Sequence, residues 1–568
     1  MASKLRNLFT QVIRKQKFTP SYMAVGRKST LSTESNVLSS VYDDIPISND
    51  TLCDFVWQRM DRWPDKTATV CSVTGRGYTY AQLHRISMVF GASLRSKLKL
   101  REDDKVAIIL PNVPEYPCIV MGALQAGCVV SPMNPLYTAE ELKRQLELID
   151  CKLVVSSKIS YPNIAQALQS LKSKIPVILI DNEGLPEGTI KFADFAEDVN
   201  ADTNCLKSVK RSPDDVAVIP FSSGTSGFPK GVVLTHRSMV ASSVMISSPE
   251  IMAIVETTAT RQSVFAAVIP FFHIFGFNIL MLSQLYLGCK LVTLPHFKPD
   301  LFLQTIAKYK SDILFMVPPI AVFLARHPAV TPAHLQSVRS IICGAAPLSP
   351  ADADAIVAKN NNIYFRQGYG LTETCGSFSV ARKTDRNHAS VGYVLSNCQA
   401  KIADMETHQA LGPGKEGELW VRGPNVMSGY YKNEEATKSD FTDDGWYKTG
   451  DIAKYDENNY LYVTDRLKEL IKVKGYQVPP AELETVIRTH PKVADCAVLG
   501  VKDPATGEAP KAFFVPQPGQ SLTPEELMAF VNSKVTSYKQ IKQAQIVDEI
   551  PKNPGGKILK RVLKEKYC

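Results

Sequence analysis

Apolar positions recur along this chain as short β-branched runs separated by longer stretches with helical spacing. Val106-Ala-Ile-Ile-Leu110 precedes a helical stretch around 113–127, and Val129-Val130 begins the next apolar run. Lys152–Val155, Val177–Ile180, Val216–Pro220, Val264–Ile269 and Ile313–Val317 repeat the theme. Strands alternating with helices predict parallel or mixed sheets covered on both faces, an α/β fold. From about residue 410 the texture turns β-rich: Gly417-Glu-Leu-Trp-Val-Arg-Gly423 reads as a strand closed by glycines, and Tyr460–Val463 as another. Asp465-Arg466, a Lys-rich segment and a compact βα pattern follow. The expected organisation is a leader over 1–40, a large N-terminal domain over 41–465 of α/β-layered sheets plus a β-rich subdomain, and a small α+β C-terminal domain over 466–568.

A chain of 568 residues exceeds what one core accommodates, which agrees with that division. The net charge of +9 suggests a polyanionic partner until it is located. Residues 1–33 hold Lys4, Arg6, Arg14, Lys15, Lys17, Arg27 and Lys28 with no Asp or Glu, so the rest of the chain carries only +2. A nearly neutral body has no need of nucleic acid. The leader also carries Leu5, Leu8, Phe9, Val12 and Ile13 at helical spacing and is followed by Ser and Thr, the composition of an organellar presequence. The expectation is a mitochondrial-matrix protein, with a cytosolic protein bearing a basic tail as the alternative. No apolar run approaches the length that spans a bilayer, so membrane contact would be peripheral at most. The twelve cysteines show no C-x-x-C and the nine histidines no H-x-x-x-H, so paired metal-ligand spacing is absent.

Chemistry concentrates first in Ser222-Ser-Gly-Thr-Ser-Gly-Phe-Pro-Lys-Gly-Val232, directly after an apolar run. Glycines let backbone N–H groups turn towards an anion, Ser223, Thr225 and Ser226 add hydroxyl donors, and Lys230 adds a full charge. This is a phosphate-binding loop, but not the kinase type, because the sixth place counted from Gly224, where that pattern needs Gly, is Pro229. Gly412-Pro-Gly-Lys-Glu-Gly417 fits G-x-G-x-x-G, yet a polar segment precedes it and a strand follows, so it reads as a turn.

In order after the loop come Gly344-Ala-Ala-Pro347, Gln367-Gly-Tyr-Gly-Leu-Thr-Glu373, Gly417–Gly423, Tyr447-Lys-Thr-Gly-Asp451, Asp465-Arg-Leu-Lys-Glu-Leu-Ile-Lys-Val-Lys-Gly475 and Pro554-Gly-Gly-Lys557. Together these segments resemble the adenylate-forming (AMP-binding) superfamily, and most closely the 4-coumarate–CoA ligases and related acyl-CoA synthetases. The resemblance implies an ATP-dependent acid–CoA ligase that forms acyl-AMP and then acyl-CoA, using ATP, CoA and Mg²⁺, with a mobile C-terminal domain.

The resemblance also assigns roles. Ser222, Ser223, Gly224, Thr225, Ser226 and Lys230 would hold the phosphates. Gly344, Ala345, Ala346, Gln367, Gly368, Tyr369, Gly370 and Thr372 would line the adenine and α-phosphate pocket. Glu373 would hold the metal, Asp451 the ribose with Arg466 reinforcing it, and Lys557 would bridge carboxylate and α-phosphate. Lys474 and Gly475 would serve the CoA step, and Asp465 to Lys468 the hinge. His273, Phe275, Gly344, Gly368, Lys468, Lys472 and Gln477 would lie along the acid or support that face. Phe271, Phe272 and Phe277 are expected in the core.

Phe275 stands where the coumarate ligases usually have Tyr, which favours a medium-chain fatty acid over a phenolic one. The competing expectations are an aryl (4-coumarate-like) CoA ligase, a luciferase-like or carrier-loading adenylating enzyme, and an adenylate-binding protein without catalysis.

Overall fold

The computed structural model describes residues 36–568 apart from 172–173, 199, 223–228, 474–475, 505, 536 and 554–555. The basic leader, most of the glycine-rich loop, Lys474 and Gly475 therefore lie outside the described residues, as do the side chains of Lys468 and Gln477.

Among the described residues the strands form four sheets. In one, Lys105–Ile109 lies between Val129–Pro132 and Cys151–Ser156, all parallel, the arrangement that the continuous apolar runs dictate. Its other flank carries Val216–Val218 and then the antiparallel pair Phe221–Ser222 and Lys230–Thr235. In the second, Thr67–Cys71, Lys290–Thr293, Val264–Ala267, Ile313–Met316, Ser340–Cys343 and Tyr364–Tyr369 run parallel. Helices such as Tyr80–Ser96 and Tyr116–Gln125 pack between, with faces that are almost wholly buried.

The β-rich region is a five-stranded antiparallel sheet in which Gln399–Ala403, Gly417–Arg422, Tyr447–Tyr455 and Leu461–Arg466 follow one another. Gly412 to Glu416 form the turn that leads into Gly417–Arg422, without a helix. The fourth sheet uses Ile471–Val473, Tyr476–Val478, Val493–Asp503, Gly507–Pro516 and Gln543–Ile546, and has its own apolar core around Val498, Phe514 and Leu527. The fold is α/β layers plus a β-rich sheet, with an α+β unit at the C-terminal end. All twelve cysteines are free, and all but Cys205 and Cys568 are buried. No helix among the described residues is long and apolar enough to cross a membrane.

One element departs from regular helix. Phe275–Leu282 is a π-helix of fully apolar pattern except for Asn278. Gly276 makes it possible, because a Cβ there would meet the Pro270 carbonyl oxygen at 2.1 Å.

Candidate active site

Parallel strands present their C-terminal ends to one side of a sheet, where loops can converge on a ligand. Ser340–Cys343 and Tyr364–Tyr369 are register neighbours, Cys343 opposite Gln367. Their ends deliver Gly344, Ala345, Ala346, Gly368, Tyr369, Gly370 and Thr372 to one large cavity of about 2430 Å³. The antiparallel pairing of Ser222 with Lys230 closes the two ends of the glycine-rich loop on the same cavity.

Asp451 and Arg466 come from adjacent strands and stand opposite each other in register. The Arg466 Nε lies 3.1 Å from the Asp451 Oδ1, and the Tyr369 hydroxyl donates to the Oδ2 at 2.6 Å. Asp451 is buried, so its charge is held by two donors rather than by water.

Lys230 has two neighbours that the sequence reading did not anticipate. Its Nζ lies 4.2 Å from the centre of the Tyr430 ring and 3.6 Å from the Asp440 Oδ2. The Tyr430 hydroxyl in turn lies 3.1 Å from the Asp440 Oδ2 and 3.3 Å from the Glu373 Oε1. Burial pushes the Glu373 carboxyl above its ordinary range. A buried carboxylate that opens onto the same cavity as Lys230 suits Mg²⁺, which takes one or two carboxylates and otherwise substrate phosphates and water. Among the described residues no trio of His, Cys, Asp and Glu forms an all-protein metal cage.

Lys557 reaches this cavity from the C-terminal unit, beside Arg466, Glu469 and Asp451. Its backbone exchanges hydrogen bonds with Asn553, N–H to Oδ1 at 2.9 Å and carbonyl to the Asn553 N–H at 2.9 Å, which closes the loop that carries it. Burial first, and then the Arg466 charge, lower its pKa to about 8. The Lys560 ammonium, 2.7 Å from Glu469, ties the last helix to the segment after Arg466.

The acid side is apolar. Phe275, Ile279, Phe315, Ile342 and Val380 line the cavity beside Gly344. His273 is half-buried and lines the cavity, and desolvation lowers its pKa to about 4. Its Nδ1 accepts the Phe275 N–H at 3.3 Å, which leaves Nε2–H as the donor of a neutral ring.

One sequence-based expectation, the core placement of Phe272, is corrected. Gln367 lines the cavity as expected, and its amide pairs with both backbone groups of Leu348 and donates to the His388 carbonyl, so it also braces the loop over 344–348. The Lys472 side chain is exposed and is not among the residues lining the cavity in this arrangement, and its strand pairs it with Gln477, the other residue assigned to the thiol-step face. Phe271 and Phe277 are fully buried, but Phe272 is only partly so and lines the cavity. Ile279 was within reach of the sequence reading, since it lies four residues after Phe275 on one helical face. Tyr430 and Asp440 left no local signal; Tyr430 meets the loop only through its pairing with Val232 in the sheet.

A cradle of glycines and hydroxyls, a ribose-sized acceptor at Asp451 and a cationic arm at Lys557 are what an enzyme needs to make an acyl-adenylate. The AMP-binding enzyme family matches residues 56–431, and the AMP-binding enzyme C-terminal domain matches residues 482–557. The chain belongs to this adenylate-forming family. Within it, the chain is an AMP-forming acid–CoA ligase, using ATP, Mg²⁺ and CoA.

It is 36% identical over 552 residues to 4-coumarate–CoA ligase 3 of Oryza sativa subsp. japonica, covering 95% of this chain and 96% of that one. It is also 36% identical to the probable 4-coumarate–CoA ligase 1 of Dictyostelium discoideum, covering 93% and 97%. Among solved structures, ATP-bound MatB from Rhodopseudomonas palustris superposes with a TM-score of 0.82 at 28% identity, covering 92% of this chain and 99% of that one. The apo form of the same protein gives 0.71.

Proposed function

We propose the following division of labour within the ligase reaction. The acid carboxylate attacks the α-phosphate of ATP and pyrophosphate leaves; the CoA thiol then attacks the acyl carbon and AMP leaves. Lys557 lies between the carboxylate and the α-phosphate, where two anions must meet and negative charge develops. Thr372 donates to the α-phosphate, Asp451 accepts the ribose hydroxyls, and Lys230 with the glycine-rich loop holds the β- and γ-phosphates. Glu373 would hold Mg²⁺, which when bound neutralises phosphate charge. The His273 Nε2–H orients the acid carboxylate. Lys474 and Gly475 serve the thiol step after the C-terminal unit turns about Asp465 to Lys468. The cluster of Lys557, Asp451 and Arg466 in one cavity supports the first of these two poses.

The acid, in this proposal, is an aromatic propenoate of the cinnamate type rather than the medium-chain fatty acid that Phe275 alone suggests. The relatives are named for 4-coumarate, an acid of that shape, and this supports the aryl reading. The observation that refines it is the apolar wall. Of the hydroxyls on the same cavity, Ser377 shares a hydrogen bond with Ser242 and Ser379 donates to the Val391 carbonyl. A ring hydroxyl buried without a partner costs roughly 1–3 kcal/mol, so the favoured ring lacks one.

The same wall supports a fatty acid as the second reading, since each buried methylene gains about 0.8 kcal/mol. Measuring kcat/KM by pyrophosphate release for cinnamate, 4-coumarate and a series of saturated acids separates the two. Cinnamate ahead of both 4-coumarate and octanoate is the expected result; a saturated acid ahead of both aromatic ones overturns the aryl reading. AMP formation coupled to CoA consumption distinguishes a CoA ligase from an oxygenase or a carrier-loading enzyme.

The acid-free, basic, amphipathic leader supports import into the mitochondrial matrix. Mass spectrometry of the native protein should find an N-terminus within about residues 20–45, a window set by usual presequence lengths. An intact start in a cytosolic fraction would overturn it.

A further inference from the structure

Behind the acid wall lies a polar cluster that the reaction does not use. Asn278 is fully buried in the π-helix, between Phe275 and Ile279 in sequence. Its Nδ2 donates to the Cys375 carbonyl at 3.0 Å, and its Oδ1 accepts from the Ser243 hydroxyl at 3.1 Å. The Ser283 hydroxyl donates to the Asn278 carbonyl at 2.8 Å and lies 3.1 Å from the Ser243 hydroxyl. From the helix His236–Ile246, Ser242 gives the Cys375 carbonyl a second donor at 3.2 Å and meets the Ser377 hydroxyl at 3.0 Å.

The segment held this way has a backbone that needs holding. Cys375 has φ 54° and Gly376 has φ 92°, both in the left-handed region, and a Cβ on Gly376 would stand 3.2 Å from the Ile274 carbonyl oxygen and 3.3 Å from Ile279 Cγ1. The π-helix and the turn at 375–377 thus abut directly. Both face the cavity, one through Phe275 and Ile279, the other through Gly376 and Ser377, and the turn follows directly on Thr372 and Glu373. A left-handed non-glycine residue is disfavoured because its Cβ crowds the following carbonyl oxygen, and two donors on one carbonyl inside a dry core can hold it there.

We propose that Asn278 is a positioning residue for acid selectivity: by joining the Ser243–Ser283 pair to the Cys375 carbonyl, it clamps the two walls of the acid pocket at a fixed separation. The inference rests on the reading that Phe275 and Ile279 face the acid. Asn278 touches no substrate; its effect passes through Ile279 on one side and Gly376 on the other.

The test uses the full chain and compares Asn278→Asp, which keeps the acceptor for Ser243 but loses the donor to Cys375, with Asn278→Leu, which loses both. The expected result is a KM for the preferred acid raised about tenfold, a KM for ATP changed less than twofold, and discrimination against an acid two carbons longer reduced about tenfold. Ser242→Ala, which removes the other donor to the same carbonyl from a different element, should move selectivity in the same direction by a smaller factor. It keeps the inference testable if Asn278→Leu fails to fold.

Equal losses for every acid, or a KM for ATP that rises with the KM for the acid, overturn the clamp. Failure of the underlying reading looks different: Phe275→Ala and Ile279→Ala would then leave the KM of every acid unchanged.

Discussion

Asp451 and Arg466 face each other across paired strands, with 3.1 Å between Nε and Oδ1, while the Tyr369 hydroxyl donates to the second carboxylate oxygen at 2.6 Å. A carboxylate offers about four lone-pair sites. With two engaged, two remain, one on each oxygen, which matches the pair of ribose hydroxyls.

Asp451→Asn therefore removes the acceptor capacity on one side and turns an amide N–H towards a donor. A hydrogen bond to a charged group contributes roughly 1.5–3 kcal/mol. The expected outcome is a fall of about 10- to 100-fold in kcat/KM for ATP, with the KM for the acid within twofold. Steady-state kinetics with each substrate varied in turn checks it.

Lys557 carries a pH dependence whose sign is fixed by burial. Its pKa stands at about 8, below the ordinary lysine value, so the ammonium is present below that pH and is lost as pH rises through it. Since kcat/KM reports the free enzyme, adenylation measured as kcat/KM for ATP should fall on the alkaline side of about pH 8. Lys557→Arg keeps its charge throughout and should show no such limb, though at a lower plateau. Lys557→Ala should lose roughly 10²–10³ in adenylation rate and still make thioester from supplied acyl-AMP.

Phe275 lies beside Gly344, with its ring carbons 3.7 and 3.8 Å from where a Cβ on that glycine would stand. Phe275→Tyr adds a hydroxyl to an otherwise apolar stretch of the wall. A recovered hydrogen bond contributes roughly 0.5–1.5 kcal/mol, so the ratio of 4-coumarate to cinnamate kcat/KM should rise about two- to tenfold. An unchanged ratio would place the ring away from the acid.

Local sequence carried the strands and the segments that resemble the family, because each is a short pattern of period or composition. Asp451 and Arg466 were singled out by the resemblance rather than by local pattern, and their pairing is a property of the sheet. What escaped was made by long-range packing. Tyr430 and Asp440 meet Lys230 only because Val232 pairs with Tyr430. Gln367 lines the cavity, but that its amide also holds the loop over 344–348 is set by the fold. Lys472 sits in the right segment, but strand alternation exposes it away from the cavity in this arrangement. The π-helix had no signature either, since a helix buried nearly all round shows no amphipathic period.

The last prediction concerns the contact on which the Lys557 pose depends. Gly556 has φ 78°, and a Cβ there would lie 2.7 Å from Pro319 Cδ and 2.9 Å from its Cγ. Pro319 belongs to the first turn of the helix Pro318–Arg326 in the large domain, and its ring cannot rotate aside. Gly556→Ala adds a left-handed penalty of roughly 1–2 kcal/mol to an overpacking cost of roughly 1–3 kcal/mol. The second cost falls only on the arrangement in which Lys557 enters the cavity, so adenylation should drop about 10²-fold. A step performed with the small domain turned to its other face does not feel Pro319, and thioester formation from supplied acyl-AMP should stay within about threefold. Rapid-quench measurement of both half-reactions decides the matter. Equal loss in the two would mean that Gly556 serves only the fold of its own turn, and that the close approach to Pro319 does not govern entry of Lys557.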